Sequence, residues 1–542
     1  MPRTLSVRAP QGPWWALSLA LWLLASPSLL QFSQAAARPS ARLTAQAVPP
    51  QEPAPRSSVG PTDTIMPLSL TEAIRLALQN SLDIERSRVA PEVARAQLEQ
   101  TRAVFDPSVS LTASFGQAKA LPVTQTLIFD SDTGAITGAR VVRPFSDHAE
   151  LTPGLQQKIV TGANYSISLM NTRDRVTPLN NRIANPRYSS DVVLTFIQPL
   201  LKDFGLTVNL APIQQALQAE ESARQQVLQT ILDTIFAVQQ GYWTLVFRIQ
   251  DLAAKRESHQ LAIDFLAENT QRVELGIVAR IDLVQARTQV KVREGEVIAA
   301  ETAWQEAEDS LKLLLNLPER AGTWQFSLVP SDPLPFVPVQ DLGVAEKIEL
   351  ALHNRPDVLQ AQLAVASQAI AYEVAQHQQR PRLDLQGQAS VSAFSDRVDA
   401  ALANLGQADG YRWAIGMQLT YPLGNRTARS EVQKQGALLR QAQVEQRQVR
   451  QTVEQQIRQA VRSLESFSKR VDATRAASML ARTQLEAEQE KFRLGLSTSF
   501  NVLTFQSQLS SARSEEANAL SAYNIALGKL DQVMGILQPE AR

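Results

Sequence analysis

The sequence predicts a mainly α chain with a membrane β-barrel, and three observations predict it. The chain repeats itself in two halves. Each half holds one very long run of heptad-spaced apolar residues, the mark of a helix packed along its whole length. Each half also holds short segments that alternate apolar and polar residues, the mark of a strand with one face in lipid.

At the N-terminus Arg3 and Arg8 precede an apolar stretch from Trp14 to Ala25 and the small residues Ala35, Ala36 and Ala37. This pattern predicts a secretory signal peptide over residues 1–37, with cleavage after Ala37 and, as the alternative, after Ala47. Residues 38–67 are rich in Pro, Ser and Ala and predict a disordered tether. Among 542 residues Lys plus Arg and Asp plus Glu balance at 53 each, so no net charge recruits nucleic acid. There is no cysteine, which excludes disulfides and thiolate chemistry. The four histidines are scattered, with no HExxH, and no metal or cofactor is expected. Nor is there a Gly-rich phosphate loop or GxSxG, so the sequence does not read as an enzyme.

The first repeat spans 68–317 and the second 344–537, joined by 318–343 and followed by a tail at 538–542. "LTEAIRLALQNSLDI" (70–84) matches "VAEKIELALHNRPDV" (344–358), and Pro107 falls on Pro381. "FIQPLL" (196–201) matches "LTYPLG" (419–424), and Gly276 then falls on Gly495. The first half carries an insertion between its prolines, read as an elaborated loop or extra hairpin around 117–187.

From Leu206 to Glu274, Leu228, Ile231, Ile235, Val238, Tyr242, Leu245, Ile249 and Leu252 keep a 3-4 spacing that predicts left-handed supercoiling. In half two Val453, Ile457, Ala460, Leu464, Phe467 and Val471 keep it more weakly, among many Gln, Arg and Glu. Such a helix would be about 100 Å long, more than a globular core needs. Each long run then meets Leu-Gly. A glycine just past a helix end takes a left-handed conformation cheaply, so "QRVELGIVARIDLV" and "EKFRLGLSTSFNVL" predict helical hairpin tips. Ser497, Thr498 and Ser499 can cap the returning helix, and Asp282 suits the first turn of its counterpart. Leu275, Gly276, Ile277, Val278, Leu494, Gly495 and Leu496 would leave apolar groups exposed at a far end, and so predict a docking surface.

In "YRWAIGMQLTY" one face holds Tyr411, Trp413, Ile415, Met417, Leu419 and Tyr421, predicted to meet lipid. "LDLQGQASVSA" (383–393), "SVSLTASFG" (108–116) and "SSDVVLTFIQ" (189–198) alternate too, with "ANYSISL" (163–169) a further candidate. Four strands cannot close a membrane barrel, and open edges are not tolerated in lipid. A homotrimer sharing twelve strands is the simplest closure.

On these marks the chain resembles the TolC-type outer membrane efflux proteins across about residues 68–537. The specific ones are "LTEAIRLALQNS", "QPLL", "LGIVARIDLVQA" and "LGLSTSFNVLTF". The resemblance implies a homotrimer with a twelve-stranded barrel in outer membrane lipid, continuous with a periplasmic α-barrel tunnel. It also implies docking through the tips to a periplasmic adaptor that leads to an inner membrane pump. By the same resemblance Asp282 matches an acidic residue of the periplasmic entrance. Half two departs from the family pattern: Asn501 and Thr504 stand where acids are common, and Phe492 and Ser497 where a Tyr and an Arg can lock the tunnel. The competing reading is an exported soluble coiled-coil scaffold or adhesin whose strands cap a rod.

Overall fold

The structure is a computed structural model that describes residues 64–119, 124–129, 132–142, 145–177, 184–275, 279–317, 326–338, 343–408 and 410–536. The expected signal peptide, most of the tether, the tip residues Gly276, Ile277 and Val278, and the tail lie outside the described residues.

The first half runs β1 (Thr64–Leu68), α1 (Leu70–Asn80), α2 (Leu82–Arg102), β2 (Ser108–Lys119), β3 (Thr124–Phe129), β4 (Ile136–Val142), β5 (Phe145–Lys158), β6 (Asn164–Thr177), β7 (Arg187–Pro199), α3 (Leu206–Glu274) and α4 (Arg280–Leu315). After β8 (Phe326–Pro330) the second half runs α5 (Val344–Asn354), α6 (Pro356–His377), β9 (Arg382–Ser395), α7 (Val398–Asn404), β10 (Gly410–Thr420), α8 (Arg426–Arg493) and α9 (Ser499–Met534). The repeat is plain in the lengths: α3 and α8 have 69 and 68 residues, and α4 and α9 have 36 each.

Local chemistry sets the helix starts. Ser69 and Ser81 cap α1 and α2 by accepting the amides of Glu72 and Ile84, and Pro356 opens α6, where its missing N–H costs nothing. Pro91 sits inside α2 without ending it.

Heptad-spaced apolar residues put the helices side by side. α3 contacts α4 on one flank and α9 on the other, and α9 in turn contacts α8. Nearer the strands the same order holds with the shorter helices: α2, α3, α6, α8. The core is therefore a string of clusters along the wall. One surrounds Tyr242, Leu245, Leu311 and Leu315, a second Ile457, Leu464, Tyr523 and Val533, and a third lies at the tips.

Two loose ends are clasped against the first cluster. β1 and β8 pair in parallel, Leu68 beside Pro330. The hydroxyl of Tyr242 donates to Asp332 Oδ2 at 2.8 Å and lies 3.1 Å from the Leu68 carbonyl, while Asp332 Oδ2 also accepts the Leu70 amide at 2.7 Å. Burial pushes the Tyr242 phenol far above its ordinary pKa, so it stays a donor.

All four expected strands are present, as β2, β7, β9 and β10, in one antiparallel sheet of order β10-β9-β7-β6-β5-β2. The sheet therefore holds two strands more than expected. The insertion read as a loop or extra hairpin supplies them, β5 and β6, between β2 and β7. β3 and β4 form a separate hairpin.

Candidate functional site: the hairpin tips and the banded sheet

At the second tip α8 ends in a Schellman motif. Gly495 has φ +76°, its amide donates to the Phe492 carbonyl at 3.1 Å, and the Leu496 amide donates to the Lys491 carbonyl at 2.8 Å. A side chain there would cost about 1 kcal/mol or more, which is why glycine recurs at the turn. Of the three candidate caps, Thr498 is the one used: its hydroxyl accepts the Asn501 amide at 3.4 Å and starts α9. Ser497 instead donates to Glu488 one turn back, and Lys491 lies 3.2 Å from the same carboxylate. The Ser497 hydroxyl and the Lys491 ammonium hold the Glu488 carboxyl below the usual range, keeping it charged at the tip.

The two tips are joined to each other. Phe492 packs on Phe265 with ring centroids 5.3 Å apart. The Arg272 guanidinium lies 4.5 Å from the Phe492 ring centroid and donates to the Phe492 carbonyl at 3.1 Å, and it is paired to Glu268 at 2.9 Å. Asn269, fully buried, accepts the Ser499 hydroxyl at 3.3 Å. Phe492 thus stands where the family can have Tyr, but binds a neighbouring hairpin through its ring face and carbonyl.

Beyond this packed layer the surface is apolar. Leu275, Leu494 and Leu496 are 73%, 67% and 76% exposed. Ile281, Val284 and Phe500 extend the patch and were missed in the sequence, where their spacing reads as ordinary helix seam. Asp282 is half-buried in the first turn of α4. Asn501 is exposed, and Thr504, half-buried one turn on, donates to the Phe500 carbonyl at 2.8 Å. Among the described residues no hydrogen bond or ion pair joins Asp282 to Asn501 or Thr504.

The sheet is the second feature. Residues directly opposite in neighbouring strands point to the same face. One row across all six strands reads Val109, Leu155, Ile167, Leu194, Ala389, Trp413. The adjacent row, on the opposite face, reads Ser108, Gln156, Ser166, Thr195, Gln388, Ala414. On β10 the apolar face continues through Tyr411, Ile415, Met417 and Leu419, all exposed, with Tyr421 one residue past the strand. Aromatics bracket the band: Tyr165 opposite Phe196 in one row, Phe115 and Tyr188 in another. These rows lie about 27 Å apart along β6, about 20 Å along the normal at a 40° tilt, close to the hydrocarbon band of membrane barrels. No helix of the described residues is long and apolar enough to cross a membrane.

A sheet apolar on one face, joined to a wall of very long helical hairpins, defines an outer membrane efflux channel. The outer membrane efflux protein family model matches residues 146–317 and 347–536, and the chain belongs to that family. Outer membrane efflux protein BepC of Brucella suis biovar 1 (strain 1330) is 23% identical over 385 residues, covering 69% of this chain and 79% of BepC. The fold is that of solved channels. The Campylobacter jejuni CmeC outer membrane channel matches with TM-score 0.62 and 16% identity over 86% of this chain and 85% of its own. The open-state Neisseria gonorrhoeae MtrE outer membrane channel matches with TM-score 0.60 and 16% identity over 90% and 97%.

Proposed function

We propose that the chain forms a homotrimeric, passive duct of a tripartite efflux or type I secretion system. Its sheet sits in the outer membrane, and its helical wall lines a periplasmic tunnel. The tips receive a periplasmic adaptor that joins the duct to an inner membrane pump, and no catalytic residue takes part. The observation that carries the reading is the apolar patch at the tips. Leu275, Ile281, Leu494, Leu496 and Phe500 are exposed at the end of the hairpins away from the sheet, where they serve neither the helical core nor lipid contact. Asp282, Asn501 and Thr504 border the entrance just behind it. With one acidic position per chain instead of an acid from each half, cations would block this mouth only weakly.

The test is a trimeric mass and discrete conductance in planar bilayers, followed by capture of the host's adaptor. Leu275→Asp, Leu494→Asp and Leu496→Asp should keep trimer and conductance but lose the adaptor. A soluble monomer or dimer that never inserts would leave the exported coiled-coil scaffold.

A further inference from the structure

The six strands of the sheet bear on how wide this duct is, and the inference rests on the channel reading above. We propose that β5 and β6 cross the bilayer with the other four strands, so that three chains of six strands close an eighteen-stranded barrel.

Three observations support it independently. The first is the alternation. Leu155 and Ile167 fall in the same apolar row as Val109, Leu194, Ala389 and Trp413, and Gln156 and Ser166 fall in the polar row. A hairpin folded over the mouth would have no reason to keep that phase with strands on both sides.

The second is the anchoring of its turn. The segment between β5 and β6 is built into the β7–α3 junction: the Gly205 amide donates to the Thr161 carbonyl at 3.1 Å, and Ala163 is 1% exposed. Gly162 has φ +95°, and a Cβ there would come within 2.3 Å of the Asp203 carbonyl oxygen. The hairpin therefore reaches the same helical level as the strands that feed α3, and Gln157 Nε2 bonds the Phe105 carbonyl at 2.8 Å just before β2. It spans the full height of the sheet.

The third is the pair of free edges. An even number of antiparallel strands leaves β10 and β2 running in opposite directions, so β10 of one copy can pair with β2 of the next. The helical wall ends in the same places. β10 leads into α8, which closes one flank, and β2 follows α2, which closes the other. One neighbour can thus satisfy the sheet edge and the helix edge together, as lipid requires.

With strands about 4.8 Å apart and tilted about 40°, twelve give a backbone diameter of about 24 Å and eighteen about 36 Å. The outer mouth would be half as wide again as in a twelve-stranded channel.

Because the chain has no cysteine, single Cys variants of the full protein can be read without background. Leu155→Cys, Ile167→Cys, Gln156→Cys and Ser166→Cys would be reconstituted in vesicles and treated with a membrane-impermeant maleimide, with Leu194→Cys on β7 as reference. The expected result is loss of labelling at positions 155, 167 and 194, with labelling retained at 156 and 166. Labelling at 155 and 167 with 194 still protected would overturn the eighteen-stranded barrel and leave a channel of four strands per chain. Labelling at all five positions would instead remove the membrane barrel, and with it the channel reading.

Discussion

The long helices α3 and α8 occupy equivalent places in the repeat and are built for different surroundings. Under the offset that brings Gly276 onto Gly495, Val238, Tyr242, Leu245 and Leu252 correspond to Ile457, Val461, Leu464 and Val471, and all eight are buried. That shared seam packs each long helix on its own hairpin partner. A second face diverges. Ile235, Trp243 and Val246 are buried on α3, where Ile525 of α9 joins their cluster and Ser521 donates to the Trp243 carbonyl at 2.9 Å. Their counterparts on α8 are Glu454, Arg462 and Glu465, all exposed. A helix with a neighbour on each flank needs two apolar faces. A helix at the edge of the chain keeps one and leaves the other polar.

The comparison can be broken most sharply by exchanging residues between the helices. Trp243→Arg places an unpaired charge in a packed interface and removes a large ring, and should cost at least about 5 kcal/mol in denaturant unfolding of the detergent-solubilised protein. Arg462→Trp should change that unfolding by less than about 0.5 kcal/mol. Equal losses would mean that α8 is not at an edge.

The shared seam makes the next largest prediction. Leu245 and Leu464 are 0% and 1% exposed, so Leu245→Ala and Leu464→Ala should each cost about 3 kcal/mol, within a kcal/mol or so of each other, in the same unfolding measurement. A large difference would show that the repeat is conserved in backbone but not in packing.

The smallest effect separates the tips. Glu488 corresponds to Asn269. Because its folded pKa lies below the ordinary 4.5, its contribution is present above that value and is lost as the pH falls through the folded one. Amide exchange at Gly495 and Leu496 should therefore quicken in acid, and Glu488→Gln should abolish the dependence. Around Asn269, which does not titrate, exchange should show no comparable step.

What could be read in the sequence follows from periodicity. Heptads, alternation and Leu-Gly are local patterns, and they placed the helices, tips and four of the strands. β5 was hidden because "FSDHAELTPGLQQK" looks like a turn, with Pro153, Gly154 and several charges. Pro153 is tolerated because it faces Leu111 on β2 while the ladder to β6 skips from Leu151 to Gly154, so only one side of the strand loses a bond. The β1–β8 pair was invisible for another reason: five-residue strands joined across most of a repeat carry no local signal. At the tips, exposure and not spacing distinguishes Ile281 and Phe500 from seam residues.

The clasp at Asp332 also bears on the order in which the chain folds. It joins residues 262 positions apart, and closing a loop of that length costs about 5 kcal/mol of chain entropy beyond a fixed term. Burial of Leu68, Tyr242 and Leu328 with the bonds to Asp332 must offset it, and all of these groups precede the second half. As the chain emerges N-terminus first, the first half can lock before the second has left the ribosome or crossed the inner membrane. The second half would then fold against a finished template, which suits a repeat whose later copy carries the more polar, less self-sufficient long helix.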